Sequence, residues 1–296
     1  MSDFHHIPVL FEETIDALLP RDGARYIDCT FGGGGHSVAI LERSAPGGRL
    51  LALDRDPLAI EHGAARLAPF SGRAILRKGA FSALRQWADE EGFDEVDGIL
   101  ADIGTSSPQL DRAERGFSFQ QDGPLDMRMD TESGETALEL IERLDVGELA
   151  DTIYAYGDER RSRAIARSIK ENLEKGEIET TLDLRRAIVR VLGPKRGRTD
   201  PATRTFQALR IAVNDELGEL KTLLDVAPSI LKVGGRVAII TFHSHEDRLV
   251  KWAFREDPRL KVITKKPLVP SEAELEANPR ARPSKLRVAE RVEVPR

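Results

Sequence analysis

The sequence predicts an α/β fold whose mostly parallel β-sheet is interrupted by a helical insertion. Over roughly the first hundred residues, short apolar strands alternate with helical stretches, which is typical of βαβ units and a parallel sheet. From about residue 136 to residue 191 the pattern is helical and contains no strand-like run. Strand-like runs return only at residue 236, so we infer an insertion into one domain rather than two domains in series.

Seven segments read as strands, because each is a short and largely apolar run. They are residues 25–31, 49–54, 73–78, 96–102, 236–242, 260–264 and 285–292. Helices are expected at 37–43, from Pro57, where proline suits the first turn, and at 82–91. Residues 104–126 are rich in Gly, Ser, Pro and Gln, and we expect a long functional loop there.

The 296 residues are divided accordingly into a first core segment (1–110), an inserted helical domain for substrate recognition (111–205) and a second core segment with a basic tail (206–296). A composition with 40% hydrophobic and 32% charged residues excludes a disordered or fibrous chain. The longest apolar runs fall well short of the roughly 20 residues that a membrane span needs. Because the N-terminus has no signal pattern and Cys29 is the single cysteine, we expect a soluble cytoplasmic protein.

Charge is sorted along the chain, although the net value of −6 would normally argue against a nucleic-acid partner. Residues 126–151 contain nine acids and two arginines, whereas residues 185–210 contain eight bases and one acid. The tail from residue 280 to residue 296 has six bases and two acids. The bulk charge therefore does not exclude RNA.

The first candidate site is the segment Asp28-Cys-Thr-Phe-Gly-Gly-Gly-Gly-His36, between a strand and a helix. Glycines there allow a sharp turn and close approach of a ligand. Asp54 ends the next strand, where an acid can accept hydrogen bonds from ribose hydroxyls. Ser37 stands where the third glycine of a dinucleotide fingerprint should be, and no phosphate loop follows. This pattern favours S-adenosylmethionine (SAM) over NAD or ATP, the alternative being a tight turn without ligand.

The second candidate is Asp102-Ile-Gly-Thr-Ser-Ser-Pro-Gln109, at the end of the fourth predicted strand. In open α/β sheets ligands bind beyond the carboxyl ends of the strands, so this loop should face the same crevice as Asp54. Ser107-Pro-Gln109 is only loosely similar to the Asp/Asn-Pro-Pro-aromatic motif of amino methyltransferases. A structural role and a catalytic role remain equally open for this loop.

Several blocks of the chain resemble the bacterial 16S rRNA cytosine N4-methyltransferase family, of the RsmH or MraW type. They are His6-Ile-Pro-Val-Leu-Phe-Glu-Glu13, Thr30-Phe-Gly-Gly-Gly-Gly-His-Ser37, Asp54-Arg-Asp-Pro57, Ser106-Ser-Pro-Gln-Leu-Asp111, Arg115-Gly-Phe-Ser-Phe119, Pro124-Leu-Asp-Met-Arg-Met-Asp130, Tyr156-Gly-Asp-Glu-Arg160, Pro201-Ala-Thr-Arg-Thr-Phe-Gln-Ala-Leu-Arg210 and Phe242-His-Ser-His-Glu-Asp-Arg248. The resemblance implies a class I SAM-dependent methyltransferase fold with an inserted helical domain. It also implies methylation of the N4 amine of a decoding-centre cytidine, in the small ribosomal subunit or a late assembly intermediate.

Carried over position by position, the resemblance implies a set of cofactor contacts. They are Gly34, Gly35, His36, Asp54, Phe81, Asp102 and Gln109. The chain departs from the family pattern at His245, where leucine is usual, and at Pro283, where serine or alanine is usual. Neither departure lies in a block assigned to the cofactor.

The chemistry requires an acceptor for the N4–H, because the amine lone pair is delocalised into the ring. Asp102, or a carbonyl of the loop after it, is the first choice. Asn214-Asp215 could instead orient the base, and His243 and Asp247 are third candidates. Methylation at C5 would need a thiol, and Cys29 is expected to be a buried core residue. We therefore expect direct in-line methyl transfer without a covalent intermediate.

RNA contacts are predicted in the basic stretch from residue 185 to residue 210, with a solvated charged face as the alternative. Arg196, Arg198 and Arg204 are the chosen phosphate contacts. Phe206, together with Phe117 and Phe119, could stack on a flipped base or could belong to the core. We expect no metal, since no cysteine accompanies the histidine pairs. A methyltransferase for other substrates, a non-catalytic RNA-binding protein and a homodimer all remain open.

Overall fold

The computed structural model describes residues 8–195, 197 and 199–294. Its strands, in chain order, are β1 (Arg25–Asp28), β2 (Arg49–Asp54), β3 (Ala74–Lys78), β4 (Val96–Asp102), β5 (Leu231–Thr241), β6 (Leu260–Val262) and β7 (Lys285–Arg291). Its α-helices are α1 (Phe11–Leu18), α2 (Gly35–Arg43), α3 (Pro57–Leu67), α4 (Leu84–Glu91), α5 (Ser107–Asp111), α6 (Ala137–Arg143), α7 (Val146–Gly157), α8 (Ser162–Glu174), α9 (Thr181–Leu192), α10 (Thr203–Asn214), α11 (Glu216–Ile230), α12 (Ser244–Glu256) and α13 (Glu272–Ala277). Within the described residues no helix is long and apolar enough to cross a membrane.

The strands form one sheet in the order β3-β2-β1-β4-β5-β7-β6. Strands β1 to β5 pair in parallel, and β7 runs antiparallel to both of its neighbours. This arrangement confirms the predicted fold class, a mostly parallel seven-stranded sheet of the class I methyltransferase type. The strand order reverses direction between β1 and β4, which makes that boundary the topological switch point.

Helices cover both faces of the sheet, which explains why the strand sequences are continuous apolar runs. Ile27, which pairs with Leu51 and Ile99, belongs to the core on one face. Tyr26 and Leu50, one position earlier, belong to the core on the other face. Successive residues of a strand point to opposite faces, so both registers must be apolar.

Two strands differ from the sequence prediction by three residues or more at one end. β1 ends at Asp28 because the chain then enters the glycine turn, although the amide of Phe31 still bonds to the carbonyl of Leu53. β5 begins at Leu231, before the predicted start at residue 236. Its register shifts around Gly234, whose φ of 83° produces an irregularity that resembles a turn in the sequence.

The chain divides into two compact units, residues 1–104 with 217–296 and residues 105–216. The second unit is helical and has its own apolar core. Its boundaries differ from the predicted 111–205, because α10 packs against α7 within this unit and not in the sheet-containing one. Helices α6, α7 and α9 each begin with a capping box, in which the cap side chain and the third helical residue satisfy each other's amides.

Candidate active site

Three aspartates end neighbouring strands at one edge of the sheet. Asp28, Asp54 and Asp102 are the last residues of β1, β2 and β4, and these strands are parallel. Their carboxyl ends meet at the switch point, where open α/β sheets bind their ligands. The structure thus brings two predicted site residues together with Asp28, to which the sequence analysis assigns no separate role.

The turn after β1 is shaped by glycine and held by Asp54. Gly34 has a φ of 74°, and a Cβ there would lie 2.5 Å from Cζ of Phe31. The amide of Gly32 donates to Oδ2 of Asp54 over 2.7 Å, and the amide of Asp56 donates to Oδ1 over 2.8 Å. These bonds orient the carboxylate and leave each oxygen a second lone pair. A ligand can therefore approach the turn closely, and its hydroxyl groups can donate hydrogen bonds to Asp54.

Asp28 organises the start of α2 and links β1 to β4. Its Oδ2 accepts a hydrogen bond from Oγ of Ser37 over 2.7 Å, and its Oδ1 accepts one from the amide of Thr30 over 3.0 Å. The hydroxyl of Thr30 also accepts the backbone amide of Asp102 over 2.6 Å. A chain of hydrogen bonds thus crosses the switch point. An acid that ends an apolar strand was the signal that could have identified Asp28.

Asp102 is in the least favourable electrostatic position of the three. Its Oδ1 is buried and has no hydrogen-bond partner among the described residues, and its Oδ2 lies 3.9 Å from Nδ1 of His36. Burial and the negative charges of Asp28 and Glu246 raise the pKa of Asp102 well above its usual range. Burial also raises the pKa of Asp28, and it raises the pKa of Asp54 to about 6.

Burial, hydrogen bonds and neighbouring carboxylates are the main influences on the pKa values of these three aspartates. A ligand that carries positive charge would favour the ionised carboxylates and lower their pKa values. These three carboxylates, which accept hydrogen bonds, therefore suit a cationic ligand with hydroxyl groups.

The remaining predicted residues of this unit frame the same edge or cap a helix. His36 is buried in the first turn of α2, where its ring stacks on Phe11 with 5.7 Å between ring centroids. Gly35 begins that helix, and Phe81 lies half-buried in a 3-10 turn after β3. His243 caps α12, because its Nδ1 accepts the amide of Glu246 over 3.4 Å.

The turn between β5 and α12 is fixed by a buried carboxylate. Glu246 accepts the amides of Phe242 and His243 over 2.7 and 3.1 Å. Its other oxygen is 2.9 Å from Nε2 of His243, but the two are not aligned for a hydrogen bond. Burial opposes ionisation of Asp247, but hydrogen bonds from Arg287 and Lys285 outweigh it and lower the pKa of Asp247. The predicted catalytic roles of His243 and Asp247 gain no support from these contacts.

Comparison with known proteins gives the family of this chain. Residues 3–292 match the MraW methylase family. The chain belongs to that family. Ribosomal RNA small subunit methyltransferase H from Sorangium cellulosum is 54% identical over 288 residues, which cover 97% of this chain and 91% of that protein. The protein of the same name from Synechococcus elongatus is 51% identical over 293 residues, with 98% and 96% covered.

Membership in the MraW methylase family confirms the predicted enzyme class, a SAM-dependent methyltransferase. Among solved structures, a SAM-dependent O-methyltransferase from Thermotoga maritima is a distant likeness. The comparison covers 100% of this chain and 71% of that one, with a TM-score of 0.45 and 11% identity.

In this MraW methylase two predicted site residues of the second unit bind the backbone of that unit. Oε1 of Gln109 accepts the amide of Ser106 over 3.0 Å in the capping box of α5. Oδ1 of Asn214 accepts the amide of Met129 over 2.7 Å, and Nδ2 donates to the carbonyls of Met127 and Arg210. Asn214 uses both amide hydrogens on backbone, so the geometry gives it a structural role rather than the predicted contact with the base.

The predicted RNA contacts have different outcomes. Phe206 is buried in the core of the second unit, where it packs edge-on against Phe119 with 4.8 Å between ring centroids. Of the two roles left open for Phe206, stacking on a base and packing in the core, this position on α10 favours the core. Arg204 is exposed on the same helix, and Arg196 and Arg198 lie outside the described residues.

Proposed function

We propose that this chain methylates the exocyclic N4 amine of a decoding-centre cytidine in 16S rRNA, with SAM as the methyl donor. The observation that carries the proposal is 54% and 51% identity, over nearly the whole chain, to proteins named Ribosomal RNA small subunit methyltransferase H. The carboxylates at the sheet edge support it independently, since they suit a cationic nucleoside.

The residues at the sheet edge fit SAM. This molecule carries two cationic groups and ribose hydroxyls, and when bound it supplies an electrophilic methyl group. Asp54 is positioned to accept ribose hydroxyls, because two backbone amides already orient it. Asp102 offers a buried oxygen without a partner among the described residues, and Gly34 and Gly35 let the ligand approach the backbone. The family resemblance adds three further contacts, from His36, Phe81 and Gln109.

Asp102 is the group that we expect to accept a hydrogen bond from the N4 amine. Its Oδ1 is buried and unpartnered within the described chain, which makes it available to a donor. An acceptor there would direct the amine lone pair toward the methyl group. Water can then take the proton that the product amine releases.

No side chain of the described site favours a covalent route. Cys29 is buried in the core, and burial together with the charge of Asp28 raises the pKa of its thiol well above the usual range. A thiol kept protonated is a poor nucleophile. Direct transfer to an exocyclic amine is thus favoured over methylation at the ring carbon C5.

Mass spectrometry of rRNA nucleosides from cells with and without the gene tests the proposal. We expect N4-methylation of cytidine to disappear without the gene and to return with the wild-type chain but not with Asp102→Ala. Unchanged N4-methylation in the absence of the gene would refute the assignment. Isothermal titration with SAM separates the alternatives, because a non-catalytic RNA-binding protein would show no binding, whereas a methyltransferase for other substrates would bind SAM.

The cellular setting is also proposed. We infer that the substrate is the small ribosomal subunit or a late assembly intermediate and that the protein acts in the cytoplasm. Comparing free 16S rRNA with assembled subunits as methyl acceptors distinguishes these substrates. Analytical ultracentrifugation decides whether the active species is a homodimer.

A further inference from the structure

Half of the eight bases in the stretch that the sequence assigns to RNA are ion-paired within the second unit. Four of its arginines pair with carboxylates of the same unit. The pairs are Arg185–Asp200, Arg186–Asp183, Arg190–Glu177 and Arg210–Glu216. Side chains held in this way have less charge to offer a polyanion, so other arginines of the unit carry more of its accessible positive charge.

A second set of arginines, at the turn between α7 and α8 and along α8, has no such partners. Arg160, Arg161, Arg163 and Arg167 are exposed. Within the described part of the chain none of the four forms an ion pair with a carboxylate. Glu159, the buried acid of this turn, accepts the amide of Arg161 over 2.9 Å and so serves the backbone.

The spacing of these arginines is unfavourable for the isolated helix. Arg163 and Arg167 are four residues apart, and Nε of Arg167 donates to the carbonyl of Arg163 over 3.3 Å. Like charges at this spacing repel each other. An anion bound between the guanidinium groups would remove the repulsion.

Two further side chains extend the same surface. Nη1 of Arg204, on the first turn of α10, donates to the carbonyl of Asp158 over 3.4 Å, which places it at the turn between α7 and α8. Tyr154, in the last turn of α7, has 60% of its surface exposed. The carbonyl of Tyr154 accepts the amide of Asp158 over 3.0 Å, so its backbone belongs to the same turn. Exposed aromatic residues together with arginines are typical of surfaces that bind single-stranded RNA.

We propose that this arginine surface, formed by Arg160, Arg161, Arg163, Arg167 and Arg204 with Tyr154, binds the phosphate backbone of the RNA substrate. The inference rests on the proposed function and names the surface through which the substrate is held. Guanidinium groups match phosphate oxygens with two parallel hydrogen bonds. Tyr154 provides a face on which a base can stack, which an acidic protein partner would not require.

The test compares two full-length triple variants with the same loss of charge. The first is Arg160→Gln/Arg163→Gln/Arg167→Gln, and the matched control is Arg185→Gln/Arg186→Gln/Arg190→Gln, whose arginines are ion-paired in the same unit. Binding to a labelled 16S rRNA fragment is measured by fluorescence anisotropy over a salt series. Isothermal titration with SAM and thermal melting confirm that each variant is folded.

The first variant should bind the fragment about tenfold more weakly, and the slope of log K against log salt should fall by about two, since each single-strand phosphate contact contributes about 0.7. The control should keep the slope of the wild type. An unchanged slope in the first variant, or an equal fall in both, would overturn the proposal. Loss of binding to assembled subunits with unchanged binding to protein-free RNA would also overturn it, in favour of a protein partner. If the wild type itself does not methylate rRNA, the proposed function fails, whatever the arginine variants do.

Discussion

At the scale of single residues, the sheet edge has three carboxyl groups whose ionised form is disfavoured by burial. Asp54 keeps its orientation through the amides of Gly32 and Asp56, while burial raises its pKa to about 6. Oδ1 of Asp102 accepts no hydrogen bond from the described residues. Binding sites often store unfavourable electrostatics of this kind, and a ligand of opposite charge releases it.

Replacing Asp54 by alanine should weaken SAM binding by about tenfold to a hundredfold, because an ionised acceptor of hydroxyl hydrogen bonds is lost. Isothermal titration measures the change. Asp89→Ala, on the exposed face of α4 where Asp89 pairs with Arg85, is the control and should bind SAM normally. Equal affinities for Asp54→Ala and the wild type would contradict the role of Asp54.

SAM affinity should also depend on pH. A pKa raised to about 6 means that Asp54 is protonated below that pH and has lost an ionised acceptor. Affinity should therefore fall as the pH drops through about 6, approaching tenfold per pH unit. Titrations between pH 5 and pH 8 measure it, with Asp54→Asn as the control in which the inflection disappears. An inflection that survives in Asp54→Asn would assign the titration to Asp102 or Asp28.

At the scale of elements, turns and helix ends carry the site. The turn before α2 depends on the left-handed conformation of Gly34 and on its missing Cβ. In the second unit Asn214, at the end of α10, fixes the segment around Met127, whose φ of 60° is unusual for a residue other than glycine. The Asn214 contacts join backbone segments that are 85 and 87 residues apart in sequence.

Gly34→Ala should lower the free energy of unfolding by about 2–4 kcal/mol, the sum of left-handed strain and a clash with Phe31. It should also weaken SAM binding, because the turn must move. Gly72→Ala is the matched control, since Gly72 has a φ of 81° but no atom within 4 Å of the added Cβ. Its cost should be about 1 kcal/mol with normal SAM binding. Urea unfolding measures both, and equal costs would show that the contact with Phe31 is irrelevant.

Asn214→Ala should lower stability by about 2–4 kcal/mol, because three backbone groups lose a partner and two of these hydrogen bonds are buried. Thermal melting measures this, and methyl transfer at saturating substrate is measured alongside. A variant with normal stability and no methyl transfer would restore the catalytic reading of Asn214.

At the scale of the whole molecule, the sequence predicted the strands and helices from local patterns but did not predict the contacts between distant residues. Apolar runs and turn residues predicted the sheet, and an acid after a glycine turn predicted Asp54. The inward position of Phe206 could not be read, because the helical pattern does not show which aromatic faces the core. The count of bases from residue 185 to residue 210 does not show how many of them are ion-paired, because the partners of Arg185 and Arg190 depend on folding.

The place of the insertion has a consequence for synthesis of the chain. β4 is complete at Asp102, but its other neighbour, β5, begins only at Leu231, after the whole second unit. At usual translation rates the ribosome takes about ten seconds to make the intervening residues. During that time the nascent half-sheet has an apolar strand with an open edge, a form prone to aggregation. We expect this chain to need chaperone protection during translation until β5 emerges and closes that edge.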